Sequence, residues 1–446
     1  MSGPAFAGTP DNFSTRMASS WLIENGRLIC PASGLDRYGR LLIHQGIIAA
    51  IDPTDDAVPS DAFRVDANGW ILAPGLVDVA TELCEPGKED DETIQSGTMA
   101  ALAGGYTSIA CAGNTEPPID TAAAVEFVKQ KAVRADQCRV HVIGCVSKGR
   151  AGEELAEIGS LVDAGAIALS DSPAPLSNTA LLRRALEYCL MFDRPVIDRP
   201  EVTSLTRGGI MHEGLNQLIL ALAPMPAEAE DLATSRDLRL LETTGGRLHL
   251  SSISTAGSVE AVRRAKARQS QVTVGIRVAN LCYDDELMRS YDSNLKVNPP
   301  LRSKRHLEAC WAAVQDGTID VITSGHQPRA LEKKMQELSA APFGMSTLDT
   351  TLSQVISSLI RPGILSWSRA IDALSVQPSR VLGLDSGTLL PGRSADLILI
   401  DPNVEWTVDA DCFYSRSRNS PIIGKTLYGR VQMVWVEGQR RFCRGN

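Results

Sequence analysis

No apolar run in this 446-residue chain approaches the roughly 18–20 residues that a bilayer-spanning helix needs, so a membrane span is not expected. The first twenty residues lack the apolar core of a secretory signal and are expected to form a disordered lead-in, 1–20. The ten cysteines contain no C-x-x-C pair. Most fall in apolar strands or on helix faces, where free thiols pack as small hydrophobes, and a reducing, cytoplasmic compartment is the expectation. Histidine is scarce: the six, at 44, 141, 212, 249, 306 and 326, form neither an H-x-H nor an H-E-x-x-H arrangement. Excess positive charge is also missing. A net charge of -9 and a pI near 5.3 argue against nucleic acid or an anionic membrane as partner.

What is present suits a large core. Hydrophobic residues make up 43% and charged ones 22%, ordinary for a globular chain long enough for a large α/β domain and a smaller one. Short strands are expected at Leu22–Ile29, Leu41–Ile43 and Ile47–Ile51, with Asn25-Gly26 as a hairpin dipeptide. A matching set closes the chain at Asp396–Ile400 and Val431–Val436. One small β domain built from 21–73 and 386–446 is the economical reading. Between the two ends, apolar strands begin near Leu72, Tyr106, Val140, Ala166, Pro195, Leu248, Val272 and Val321. Helices lie between them: Leu182, Ala185, Leu186 and Cys189 share one face after a cap at Ser177 or Asn178, and Leu307, Cys310, Trp311 and Val314 share another after Ser303. Eight strand–helix units imply a TIM-type (β/α)8 barrel over 74–385, in an α/β chain carrying a small β-sandwich.

Several stretches carry more than a period. Pro74-Gly75-Leu76-Val77-Asp78-Val79-Ala80-Thr81-Glu82-Leu83-Cys84-Glu85-Pro86-Gly87 resembles the first barrel strand of the dihydroorotases, members of the amidohydrolase superfamily, which reads P-G-L-V-D-V-H-x-H-L-R-E-P-G. Asn114–Thr121, Asn294–Ser303 and Ser415–Pro421 resemble further segments of that branch, and the likeness covers nearly all of the chain beyond residue 20. Active members place their chemistry where the barrel strands end, using divalent metal to lower the pKa of bound water toward ~7.

The resemblance allows each chemical position to be inspected. The first strand carries Ala80 and Glu82 where the family has two metal-binding histidines, and Cys84 where it has a substrate-binding arginine. Ser170-Asp171-Ser172-Pro173 retains one carboxylate of two, Arg199 stands at a histidine ligand and Ser252 at another. Gly325 takes the place of the catalytic aspartate, beside His326. No binuclear metal site and no metal cofactor are therefore expected. Asn114 matches a carboxylate-binding asparagine, and Arg329 stands where the family uses a histidine for the same carboxylate, so a small acid remains a candidate ligand. Arg199 is expected to enter the basin and bridge Glu82 and Asp171. A single-metal site from Glu82, Asp171, Cys84 and His326 is the alternative, and Arg199 opposes a cation there. His249, inside a strand, reads as a hydrogen-bonded structural residue, and His326 as a pocket group.

The resemblance thus implies a non-catalytic dihydroorotase homologue of pyrimidine biosynthesis, a structural subunit for aspartate carbamoyltransferase in a homo- or hetero-oligomer. The alternatives are an active dihydroorotase or cyclic-amide hydrolase with a rewired site, and a structural protein nearer the dihydropyrimidinase branch.

Overall fold

The computed structural model describes residues 19–445, so the lead-in expected over 1–20 lies outside the described residues apart from its last two. The chain opens with five strands: β1 (Ser20–Cys30), β2 (Leu35–His44), β3 (Ile47–Ile51), β4 (Phe63–Asp66) and β5 (Ile71–Pro74). Eight parallel barrel strands follow: β6 (Leu76–Thr81), β7 (Tyr106–Cys111), β8 (Arg139–Gly144), β9 (Ala166–Leu169) and β10 (Val196–Asp198), then, after a short ribbon of β11 (Met211–His212) and β12 (Pro224–Met225), β13 (Leu248–Leu250), β14 (Val272–Arg277) and β15 (Val321–Thr323). The chain closes with β16 (Leu397–Thr407), β17 (Thr426–Val436) and β18 (Gln439–Cys443).

The barrel strands neighbour one another in sequence order, from β6 to β15, with helices between them. Side chains close the remaining seam. Asp78 on β6 accepts hydrogen bonds from the hydroxyls of Thr323 and Ser324 and from the Ser324 backbone N–H at 3.1 Å. Val77, Val79, Ala110, Ile143, Ala168, Ile197 and Val321 fill one buried cluster that Val381 and Leu382 complete. Removing such surface from water, at ~25 cal/mol per Å2, is what holds the barrel together.

Strands from both chain ends interleave in one sheet, in the order β18-β17-β16-β5-β1-β2-β3, with β4 also on β1. Trp21 from the first strand meets Trp435 from β17 edge-on, ring centroids 5.6 Å apart, and Phe63 at 5.5 Å.

Two local expectations are corrected. Asn25-Gly26 makes no hairpin. β1 runs straight through it with a bulge, Asn25 adopting φ 63° while its side chain donates to Asp66 at 3.0 Å. The apolar stretch from Leu72 is two strands: β5 pairs with β16, and the chain turns at Gly75, where any Cβ would strike the Thr107 side chain, before β6 begins. Helix caps follow the sequence more closely. Asn178 caps Thr179–Cys189 through Ala180 N (3.1 Å) and Leu181 N (3.2 Å), and Thr93 forms a reciprocal box with Ser96 ahead of Ile94–Gly104.

Candidate functional site at the barrel mouth

The residues just beyond the strand ends converge on one centre. Glu82 follows β6, Ser172 and Pro173 follow β9, Ser252 follows β13, and Gly325, His326 and Gln327 follow β15. Arg277 is the last residue of β14. Together they enclose a cavity of about 20 Å3, with Ala80 and Ala112 as its apolar wall. That volume admits about one water molecule.

Glu82 is the anion of this centre. Its carboxylate accepts from Gln327 Nε2 at 2.5 Å and from an Arg329 guanidinium N–H at 2.8 Å. Burial pushes the Glu82 pKa up, but the Arg329 charge and these two hydrogen bonds outweigh it, leaving the carboxyl below its ordinary range. Arg329 also donates to the carbonyls of Phe343 (3.0 Å) and Pro328 (2.6 Å). The residue expected to offer a donor to a substrate carboxylate is therefore occupied with Glu82.

Arg277 is the cation that sequence reading missed. Its Nε donates to Ser252 Oγ at 3.1 Å and a terminal N–H to Gln327 Oε1 at 2.7 Å. Burial, followed by the nearby Arg199 charge, pushes its pKa down to about 10, with Glu82 acting against both. Arg277 also explains Gly325. A Cβ there would lie 2.8 Å from Arg277 Cγ and Cδ, and Gly325 adopts φ +64°. Where the resemblance places a catalytic aspartate, the stem of an arginine fills the space. The available signal was a charged residue closing the otherwise apolar strand Val272–Arg277.

The bridge expected from Arg199 to Glu82 and Asp171 does not form. Arg199 pairs with Glu201, two residues on, and donates from Nε to Pro173 O at 2.7 Å. Glu201 is nearer along the chain and Arg329 has already taken Glu82. Asp171 turns to backbone, accepting from Val146 N (2.9 Å), Ser147 N (3.1 Å) and the Ser147 hydroxyl. Burial raises its pKa. Cys84 is buried with φ 60°, and burial plus the Glu82 charge push its thiol well up, so it stays protonated. Asn114 is half-buried, and its carbonyl accepts from Lys88 Nζ at 3.3 Å.

His326 is fully buried. Its Nδ1 accepts from Thr347 N at 3.1 Å and Leu348 N at 3.4 Å, which fixes the tautomer and sends Nε2–H toward Glu92 at 3.4 Å. Glu92 in turn accepts from the hydroxyls of Ser96 and Ser415 and from Arg416 N at 3.1 Å. The Ser415–Pro421 segment thereby braces the mouth, and Asn419 Oδ1 adds acceptors for Arg329 N (3.0 Å) and Ser346 Oγ (2.6 Å). Arg302 of the Asn294–Ser303 run is likewise structural, paired with buried Glu230 at 3.3 Å. His249 is held in its strand by Thr273 at 3.0 Å.

A divalent metal does not fit this donor set. The acceptors of Glu82 face an amide and a guanidinium, Ser252 faces Arg277, and Nδ1 of His326 is taken by backbone. Among the described residues, no group of three or more His, Cys, Asp or Glu is placed to hold one.

The dihydro-orotase-like family matches residues 69–258 and the amidohydrolase family residues 225–441. A putative dihydroorotase of Rhodopirellula baltica is 52% identical over 424 residues, covering 95% of this chain and 93% of its own. The chain belongs to the dihydroorotase family. A dihydroorotase of Syntrophus aciditrophicus is 41% identical, with 94% and 98% covered. The L-hydantoinase (dihydropyrimidinase) from Arthrobacter aurescens superposes with a TM-score of 0.86 at 23% identity, covering 95% of this chain and 96% of its own, which establishes the shared fold. These full-length relatives overturn the expectation that the chain is not an enzyme, because what it resembles from end to end is named dihydroorotase. In this dihydroorotase-family chain two of the altered positions, Glu82 and Ser252, join Gln327 and Arg277 in a connected polar centre with its own carboxylate and cation.

Proposed function

We propose that this chain is a cyclic-amide hydrolase of the dihydroorotase class, serving pyrimidine biosynthesis with a rewired centre. The full-length likeness to dihydroorotases carries the reading. Glu82 and Arg277 supply groups for it. With the ring carbonyl beside Arg277, water adds to the carbonyl carbon and its proton passes to Glu82. The oxyanion is held by the Arg277 guanidinium. Collapse breaks the C–N bond, Glu82 returns the proton to the leaving nitrogen, and an open-chain carboxylate results. No step is routed through a metal.

The 20 Å3 cavity holds water and not a ring, so substrate enters when the Gln327–Arg329 segment lifts from Glu82. The same movement frees the carboxylate from the cation that depresses its basicity. Incubation of the purified chain with dihydroorotate, following carbamoyl aspartate, tests this reading. Turnover above the uncatalysed rate, lost by about 100-fold or more in Glu82→Gln and Arg277→Met, is the expected result. No turnover in either direction removes the reading.

Association with aspartate carbamoyltransferase in a hetero-oligomer is part of the proposal. An exposed apolar face on the helix Leu215–Leu220, with Leu218 72% and Ile219 60% exposed, supports a protein partner. Ten free cysteines support a reducing, cytoplasmic setting. No helix among the described residues is long and apolar enough to cross a membrane. Recovery of the carbamoyltransferase with the tagged chain from native lysate checks the partner.

A further inference from the structure

A cavity of about 370 Å3 that shares no lining residue with the mouth has Glu201, the partner of Arg199, in its wall. It is at the lower end of the size range of small-molecule sites. Lys296, from the sequence run Asn294–Ser303, lines it and is only 5% exposed. Its ammonium donates to Leu338 O at 2.8 Å and Ser339 O at 3.0 Å and lies 5.0 Å above the Phe343 ring. Among the described residues no carboxylate pairs with it, and an ammonium has a third N–H to give.

Its surroundings sharpen the anomaly. Lys334, 4% exposed, holds the same loop through Pro342 O (2.9 Å) and Gly344 O (3.1 Å), again without a carboxylate among the described residues. Buried charges are normally paired, and two neighbouring ammonium groups with no direct ion pair among the described residues are costly. Burial lowers the pKa of both lysines, and for Lys334 the charges of Arg329 and Lys296 add to it while Asp292 acts against them. Glu201, the only carboxylate of the cavity wall among the described residues, offers no compensation: Arg199, the Thr206 hydroxyl (2.5 Å) and Asn298 Nδ2 (2.9 Å) already occupy it. Arg207 stands exposed at the rim, and Ile210, Met225 and Phe343 supply an apolar wall.

We propose that this side cavity binds a small planar carboxylate, its anionic group on Lys296 and Arg207 and its flat body against Phe343. The site is distinct from the barrel mouth and does not depend on turnover there.

Calorimetric titration of the full chain with orotate, with uracil as the same ring lacking the carboxylate, tests it. Saturable orotate binding is expected, weakened at least tenfold by Lys296→Met and severalfold by Arg207→Ala. Arg277→Met at the mouth is expected to leave it within twofold, and uracil is expected not to bind. Because Arg207 is exposed, Arg207→Ala decides the matter if Lys296→Met does not fold. Absence of saturable binding, equal binding of uracil, insensitivity to Arg207→Ala, or loss in Arg277→Met with retention in Lys296→Met would each overturn the proposal.

Discussion

Glu82 and Arg329, 247 positions apart in the chain, meet at 2.8 Å across the top of the barrel. This pair ties the end of the first barrel strand to the loop after the last, and Gln327 reinforces it at 2.5 Å. Breaking a buried pair from one side leaves an uncompensated charge, which costs more than the pair contributes. Glu82→Gln is therefore expected to destabilise the fold by about 3 kcal/mol. Arg329→Met should cost a similar amount, and the double variant less than the sum. A urea-denaturation double-mutant cycle measures the coupling; strictly additive losses contradict the pairing.

Gly325 and Arg277 share one space. Gly325→Ala places a Cβ on Arg277 Cγ and Cδ at a positive φ, and a loss of about 2–4 kcal/mol is expected from the clash and the backbone together. Arg277→Ala should relieve the steric part, so the double variant is expected to be less than additive. A Gly325→Asp variant meets the same obstacle, and restoring the family aspartate alone should lower stability without raising turnover.

The barrel seam gives a third expectation. Asp78 accepts from Thr81, Thr323 and Ser324, and Asp78→Asn exchanges acceptor capacity for donors that face other donors. A loss of about 2–3 kcal/mol is expected, read as a lower melting temperature. Hydrogen exchange should quicken first in β6 and β15. Unchanged protection there would separate Asp78 from barrel closure.

Titration of buried groups sets the pH limits. His249 is pushed down to about 3 by burial and then by Lys266, and His141 to about 4 by burial and then by Arg139. The unfolded chain binds these protons near pH 6.5 while the folded chain resists them, so stability present above pH ~6.5 is lost as pH falls toward 4, at about 1.4 kcal/mol per unit for each histidine. At the alkaline end, burial pushes the thiols of Cys111, Cys138 and Cys189 up to about 12. The unfolded thiols ionise first, so stability declines as pH rises from ~8.5 toward 12. Urea midpoints between pH 4 and 10 should form a dome, and a shallower acid limb in His249→Gln than in the parent chain would identify that residue's share.

The frame was legible because its signals are local and periodic. Strand starts at Tyr106, Ala166, Leu248, Val272 and Val321 agree with the apolar runs, and the strands expected at both chain ends do share one sheet. Asn25-Gly26 misled because a dipeptide that favours a turn also suits a bulge when the partner strand continues beside it. At the mouth, sequence placed Glu82, Ser252, Gly325 and His326 together at strand ends, and the cavity includes all four. It paired the charges wrongly. Arg199 went to Glu201 and Asp171 to the 146–147 backbone, whereas Arg277, marked only as a charge closing an apolar strand, and Gln327 hold the centre.

By itself, then, the sequence determined the barrel and the interleaved end sheet, because alternation and turn chemistry act between near neighbours. Only the tertiary structure decided which cation meets which carboxylate and which stem fills the space above Gly325. Those choices depend on side-chain direction and on distances of 2–4 Å between residues far apart in the chain, where Coulomb energy and steric overlap change steeply.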